Sequence, residues 1–278
     1  MELLRPESAE AAASALANGA VALAGGTEVV PLIREGILAP ETLVQIDQVV
    51  PKGIRSGWIG GGTTLGELEV DPQIPAALRE ACSLAASPQL RAMGTIAGNL
   101  LQATRCWYWR LRFPCRLHGG DRCFAREGEH REHAILANDF CASAHPSDVA
   151  AALHALSATV VTDRRRLPIA EVYRLPSEDD RRTTTIQTGE LILELEYQPP
   201  VASTYLKAMD RNRYAFALVG VAAARYESGT RLALTGVAPI PWVIETAADL
   251  ERATPLPRNA YKLEIATALV RRALEAVA

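Results

Sequence analysis

No run of about 18 or more residues is free of charges and chain breakers, which argues against a membrane-spanning helix. A basic leader is also missing. The one stretch that imitates a signal core, Ala11 to Ala24, follows Glu7 and Glu10 and is broken by Asn18-Gly19, so it reads as a helix and then a strand. Without an export address of its own, the chain is expected in the cytoplasm, or in the periplasm if a partner subunit carries the address. Excess positive charge is absent too: 29 Lys and Arg against 32 Asp and Glu give a formal charge of -3, which argues against a nucleic-acid partner. Cysteines number five. An odd count with no secretory signal argues against a disulfide framework and makes metal-ligating thiolates the better expectation. The 278 residues are enough for one large domain or two ordinary ones.

Neither the Rossmann G-x-G-x-x-G nor the P-loop pattern is present. Two other glycine turns are. "AVALAGGTEVVPLIREG" reads as a short strand (Ala20 to Leu23), a Gly25-Gly26 turn, and a helix capped by Thr27 and stopped by Gly36. "GWIGGGTTLGELE" reads as a strand through Trp58-Ile59, a Gly60-Gly61-Gly62 turn, and a helix opened by a Thr64/Glu67 capping box. Free N–H groups at such a turn suit an anion such as a pyrophosphate. A plain strand-to-helix connection is the competing reading of each. A third glycine stretch, "SPQLRAMGTIAGNLLQ", follows a helix whose apolar face carries Leu78, Ala81, Cys82 and Ala85, so Cys82 reads as a core residue.

The other four cysteines, Cys106, Cys115, Cys123 and Cys141, are spaced C-x8-C-x7-C-x17-C. No tight C-x2–4-C knuckle occurs, and neither ferredoxin spacing is matched. Loose spacing suits a loop wrapped around a larger object. Trp107, Tyr108, Trp109 and Phe113 can exclude water, and the arginines between Arg105 and Arg131 can offset a cluster's negative charge. His118, His130, His133 and His145 are competing ligands. On spacing alone, an iron–sulfur cluster, a mixed Cys/His zinc site, and free or disulfide-bonded cysteines all stay open.

Seven segments, "LAGGTEVVPLIREG", "IGGGTTLGELE", "GTIAGNLLQATRCWYWR", "HPSDVAAAL", "GELILELEY", "YLKAMDRNRYAFALVGVAA" and "GVAPIPW", together resemble the FAD-binding (medium) subunit of molybdenum hydroxylases. That group contains xanthine dehydrogenase, carbon monoxide dehydrogenase and bacterial aldehyde oxidoreductases. The segments run in the family's order over nearly the whole chain. The resemblance implies that Ala24, Gly25, Gly26, Thr27 and Glu28 hold the FAD pyrophosphate and that Thr95, Gly98 and Asn99 line the flavin. It also implies that Ser147 and Asp148 bind the ribityl and phosphate region, Asp148 accepting from hydroxyls, and that Ile192 and Lys207 lie near the isoalloxazine. The segment from about 101 to 144 looks like an insertion. Its cysteines resemble the subgroup with an additional [4Fe-4S] cluster, which implies Cys106, Cys115, Cys123 and Cys141 as cluster ligands.

The implied role is an electron-transfer flavoprotein subunit of a heterotrimer, an aldehyde oxidoreductase. A large subunit would carry the molybdenum cofactor and a small subunit the [2Fe-2S] centres, with FAD passing electrons to an external acceptor. No catalytic residue is assigned to this chain. A self-contained flavin oxidase, or a zinc-stapled scaffold without flavin, would be the alternatives.

The helix opening at "PSDVAAALHAL" is expected to place His154 on its polar side. "RLPSEDDRRTTT" reads as a boundary. In "LILELEY", Leu191, Leu193, Leu195 and Tyr197 should face one way and Glu194 and Glu196 the other. "FALVGVAAARY" and "RLALTGVAP" read as antiparallel strands and "NAYKLEIATALVRRALEAVA" as a closing amphipathic helix. The expected fold is α+β: a two-lobed PCMH-type FAD-binding domain over 1–175, then a C-terminal domain over 186–278 with a small antiparallel sheet and helices.

Overall fold

The computed structural model describes residues 1–278. Three sheets carry the chain. In the first, β1 (Glu2–Leu4) and β2 (Val21–Leu23) both run parallel to the central β3 (Thr42–Gln45). The Ala-rich stretch divides as its sequence suggests, into a helix Ala9–Ala17 ended at Asn18 and then β2. The second sheet contains β4 (Ile54–Arg55), β5 (Trp58–Gly60), β6 (Thr159–Thr162), β7 (Arg166–Pro168) and β8 (Ile192–Glu196), in spatial order β4-β5-β8-β6-β7. The third is an antiparallel sheet of β9 (Ala202–Met209), β10 (Ala217–Tyr226), β11 (Gly229–Thr235) and β12 (Trp242–Ile244). The fold is thus mixed α and β with a two-lobed N-terminal part, as expected. No helix is long and apolar enough to cross a membrane.

Strand β8 lies between β5 and β6 of the second sheet, although its sequence follows the polar stretch 174–185. Its alternation holds at Leu195 and Tyr197, with Glu194 and Glu196 facing outward to Trp58 and Arg166. It fails at Leu191 and Ile192, which are both buried, because a register shift between Val161 and Thr162 turns the strand there. The helix Asp148–Ala155 has no polar side at all. It packs between the helix Ala76–Leu84 and strands β10 and β11, and all eight of its residues are buried. His154 is therefore a core residue against Tyr173, and burial lowers its pKa to about 4. Cys82 is fully buried, and its thiol is pushed far up by that burial.

The insertion has little core of its own. Short helices at Trp107–Arg110 and Phe124–Glu127 are joined by irregular chain. The loop instead borrows order from the C-terminal part: the N–H groups of Ile135 and Leu136 both donate to Val237 O, and Thr254 N–H donates to Ile135 O. The closing helix Tyr261–Val277 supplies Lys262, fully buried, whose Nζ donates to the carbonyls of Glu132 (2.9 Å), His133 (3.0 Å) and Gly236 (2.6 Å). Burial pushes its pKa down to about 7, while three carbonyls match the three donors of an ammonium and hold the charged form. Lys262→Met keeps the side-chain length but strands those carbonyls. We expect it to lower the unfolding free energy by about 2–4 kcal/mol in urea titrations; an unchanged midpoint would contradict this role.

Candidate functional site

The two glycine turns, alike in sequence, differ in how their donors are spent. In the Gly60-Gly61-Gly62 turn every N–H is taken: Gly60 by Gly53 O, Gly61 by Leu193 O and Gly62 by Pro51 O. A Cβ on Gly61 would lie 2.7 Å from Ile192 O, so that turn is a packed connection against β8. In the other turn the backbone N–H groups of Gly25, Gly26, Thr27 and Glu28 meet no protein acceptor. Four consecutive unspent donors are available to an anion at the groove they line. Gly25 is needed for a close approach of a different kind, because a Cβ there would sit 1.7 Å from Met93 O. The turn thereby leans on the third glycine stretch, which is itself stitched to the second by Ile96 N–H to Thr63 O and Ala97 N–H to Gly61 O.

The helix after the first turn is Val29–Arg34, and its N-cap is Glu28 without a side-chain bond, not Thr27 as expected. Glu28 is engaged elsewhere. Its carboxylate accepts from Arg105 (2.6 Å), Arg110 (2.6 Å) and the N–H of Ala103 (3.2 Å). Those arginines come from the cysteine loop and tie it to the glycine turn. Arg116 and Arg126 are likewise spent on loop carbonyls, of Asp139, Phe140 and Asn138. They brace the loop, a use the sequence reading did not assign to them.

The structure gathers most of the sequence-derived residues along one groove. Ala24, Gly25, Gly26, Thr27, Glu28, Thr95, Gly98 and Ile192 line one end. A continuing cavity of about 480 Å³ shares Thr27, Glu28, Thr95 and Gly98 and adds Asn99, Asp148 and Lys207. Ser147 lies beside the groove. Buried, it caps the helix Asp148–Ala155 through the N–H of Ala150 (2.9 Å), and its hydroxyl donates to Asn99 Oδ1 at 2.6 Å. Asp148 pairs with Lys207 at 2.7 Å, with both side chains almost fully buried, and accepts from the Tyr205 hydroxyl. Burial raises the Asp148 pKa, opposed by the Lys207 ammonium. Tyr205 escaped the sequence reading, although its place two residues before Lys207 on β9 puts both on one face of the strand.

Cys106, Cys115, Cys123 and Cys141 converge on one small cavity walled by Tyr108, Trp109, Leu117 and Phe124. All four are free thiols. Burial pushes Cys106 up to about 11 and Cys141 to about 12. No group of three or more His, Cys, Asp or Glu side chains closes around a single metal ion. Of the competing histidines, His118 bonds Trp109 O and His130 is used at both ring nitrogens by Ala125 O and Arg258 N–H. His145 takes the Ser147 N–H. His133 alone reaches a sulfur, with Nε2 at 3.2 Å from Cys106 Sγ.

Residues 1–196 match the family described as "FAD binding domain in molybdopterin dehydrogenase". The aldehyde oxidoreductase FAD-binding subunit PaoB of Escherichia coli (strain K12) is 36% identical over 291 residues, which cover 93% of this chain and 92% of PaoB. Among solved structures, a Cu,Mo-CO dehydrogenase chain aligns with TM-score 0.70 at 22% identity, covering 100% of this chain and 97% of its own. Quinoline 2-oxidoreductase from Pseudomonas putida 86 aligns with TM-score 0.67 at 19% identity, covering 99% and 95%. These two likenesses are likenesses of fold. Asp148→Asn would leave the Lys207 ammonium buried without a counter-charge. The expected loss is about 3–5 kcal/mol of stability by chemical denaturation, and unfolding that matches the parent would contradict the pairing.

Proposed function

The chain belongs to the family of FAD-binding domains in molybdopterin dehydrogenase, and from that premise we propose that it is the electron-transfer FAD subunit of a molybdenum-dependent aldehyde oxidoreductase. One observation carries the reading: a groove with four unspent N–H donors at its turn is tied, through Glu28, to a loop whose four thiols ring a common cavity. The 36% identity to an aldehyde oxidoreductase subunit along nearly the full chain supports the substrate class. Partners would be a molybdenum-cofactor large subunit and a [2Fe-2S] small subunit, together a heterotrimer. The FAD-binding domain, expected over 1–175, would extend to 196, where the family match ends after β8, and the third sheet with the closing helix would form the C-terminal domain expected from 186.

Bound FAD would supply the chemistry of accepting electrons from iron–sulfur centres and releasing them to an external acceptor. The residues of this chain bind and orient. The donors of Gly25, Gly26, Thr27 and Glu28 would hold the pyrophosphate, with Ala24 at the foot of the turn. Thr95 and Gly98 would line the flavin, and Asn99 would do so in an orientation fixed by Ser147. Asp148, oriented by Lys207 and Tyr205, keeps lone pairs for ribityl hydroxyls, while Ile192 contributes an apolar wall. Cys106, Cys115, Cys123 and Cys141 would ligate an additional [4Fe-4S] cluster. Four thiols spread around one aromatic-walled cavity, with His118 and His130 spent on backbone groups, fit a polynuclear cluster better than one tetrahedral zinc ion.

Co-expressed with its molybdenum and [2Fe-2S] partners, the chain should co-elute with them, and anaerobic addition of an aldehyde should bleach the flavin absorbance. Cys123→Ser should lose iron and leave 101–144 open to protease. Full aldehyde turnover by the isolated chain, or no flavin under any expression condition, would overturn the assignment.

A further inference from the structure

The four thiols are not equivalent. Cys106 alone of the four also borders a second cavity of about 490 Å³, beside Arg105, Trp107, His133, Tyr214 and Phe216. Arg105, Tyr214 and Phe216 line the flavin groove as well, so Cys106 is the thiol on the groove's side of the loop. It is also the one sulfur with an imidazole against it. His133 is 3% exposed, sits edge-on to Trp107 with ring centroids 4.7 Å apart, and places Nε2 at 3.2 Å from Cys106 Sγ.

Its other ring nitrogen, Nδ1, is buried and without a partner. A ligating thiolate carries no proton, so the bond to sulfur forms only if Nε2 is the protonated nitrogen and donates. The arrangement is held from outside the insertion. Asn259 Nδ2 donates to the carbonyls of His133 and Ala134, each at 3.1 Å, and Lys262 Nζ donates to the carbonyls of Glu132 and His133. Asn259 and Lys262 are both fully buried. Two buried polar side chains converge on the backbone of this one histidine, which restricts the ring to its place beside the sulfur.

We propose that His133 is a positioning residue for the cluster. It donates Nε2–H to the Cys106 thiolate at the corner facing the flavin groove, and the C-terminal helix holds it there to raise the cluster's reduction potential. The physical basis is charge. An electron entering the cluster adds negative charge that spreads onto the thiolate sulfurs, and an N–H donor stabilises this reduced form more than the oxidised one. The closing helix, remote in sequence from every cysteine, is thereby part of the redox site. The inference rests on the cluster reading made above.

The test uses the anaerobically purified three-subunit complex, comparing the parent with His133→Phe and His133→Gln. Iron and flavin contents are measured first, then the cluster's midpoint potential by EPR-monitored titration. The expected result is parental iron and flavin in both variants, a lower potential and shifted EPR signal in His133→Phe, and recovery of most of the shift in His133→Gln, whose amide keeps an N–H donor. An iron-loaded His133→Phe complex with the parental potential would overturn the inference and leave the cluster intact, whereas a parent without cluster iron would remove the reading beneath it. If His133→Phe loses its cluster, ESEEM of the reduced parent labelled with 15N-histidine decides: a coupled imidazole nitrogen supports the bond, and its absence overturns it. A parent cluster that no reductant converts to its paramagnetic form also overturns it.

Discussion

The Glu28 carboxylate, held between Arg105 and Arg110 at 2.6 Å each, is the contact on which the arrangement of the site depends. It stands at the start of the helix following the glycine turn, and its two partners flank Cys106 in the inserted loop. One side chain thus ties the glycine turn to the loop that carries the thiol cavity. It also settles an electrostatic difficulty. A carboxylate beside a turn proposed for a pyrophosphate would repel it, but paired guanidiniums neutralise the charge, and Arg110 reaches Glu35 as well at 3.1 Å. The pairs are largely shielded from solvent, so removing one partner would leave an uncompensated charge where it costs most.

The same logic recurs at the other end of the groove. Asp148, on a helix packed between two layers, is matched by Lys207 and Tyr205 from β9. The groove is therefore closed by an ion pair that joins the N-terminal lobes to the third sheet, and the cysteine loop is held by Lys262, which bridges its carbonyls to Gly236 just past β11, and by Asn259 ahead of the closing helix. Each of these buried polar groups satisfies backbone or side-chain partners from a distant part of the chain, which gives a loop with almost no apolar core a defined course.

Much of this was legible in the sequence, for identifiable reasons. Turn glycines, the Thr64/Glu67 capping box, the Asn18-Gly19 break and the antiparallel strands of the third sheet are local signals, and the structure shows each of them, whereas the alternation of β8 holds only in part. What stayed hidden was how donors and charges are spent. The turns at Gly25-Gly26 and Gly60-Gly61-Gly62 look alike in sequence, yet only the first keeps its N–H groups free, because the second is filled by the carbonyls of Gly53, Leu193 and Pro51. The arginines of the cysteine loop were legible as positive charge but not as partners of Glu28. His154 follows a periodic pattern that implies a polar side, and the layer of β10 and β11 over that side removes it. Thr27 is the residue type that caps helices, but Glu28 occupies the cap position. These are long-range outcomes, beyond the reach of local propensity.

The central claim is that four thiols lie around one cavity beside the flavin groove because they bind a polynuclear iron centre. The most direct test is Mössbauer spectroscopy with iron, sulfide and zinc analysis on the chain enriched in 57Fe and purified anaerobically. The account predicts about four irons and as many sulfides per flavin, with the spectrum of a [4Fe-4S] cluster. Stoichiometric zinc with no iron would contradict it.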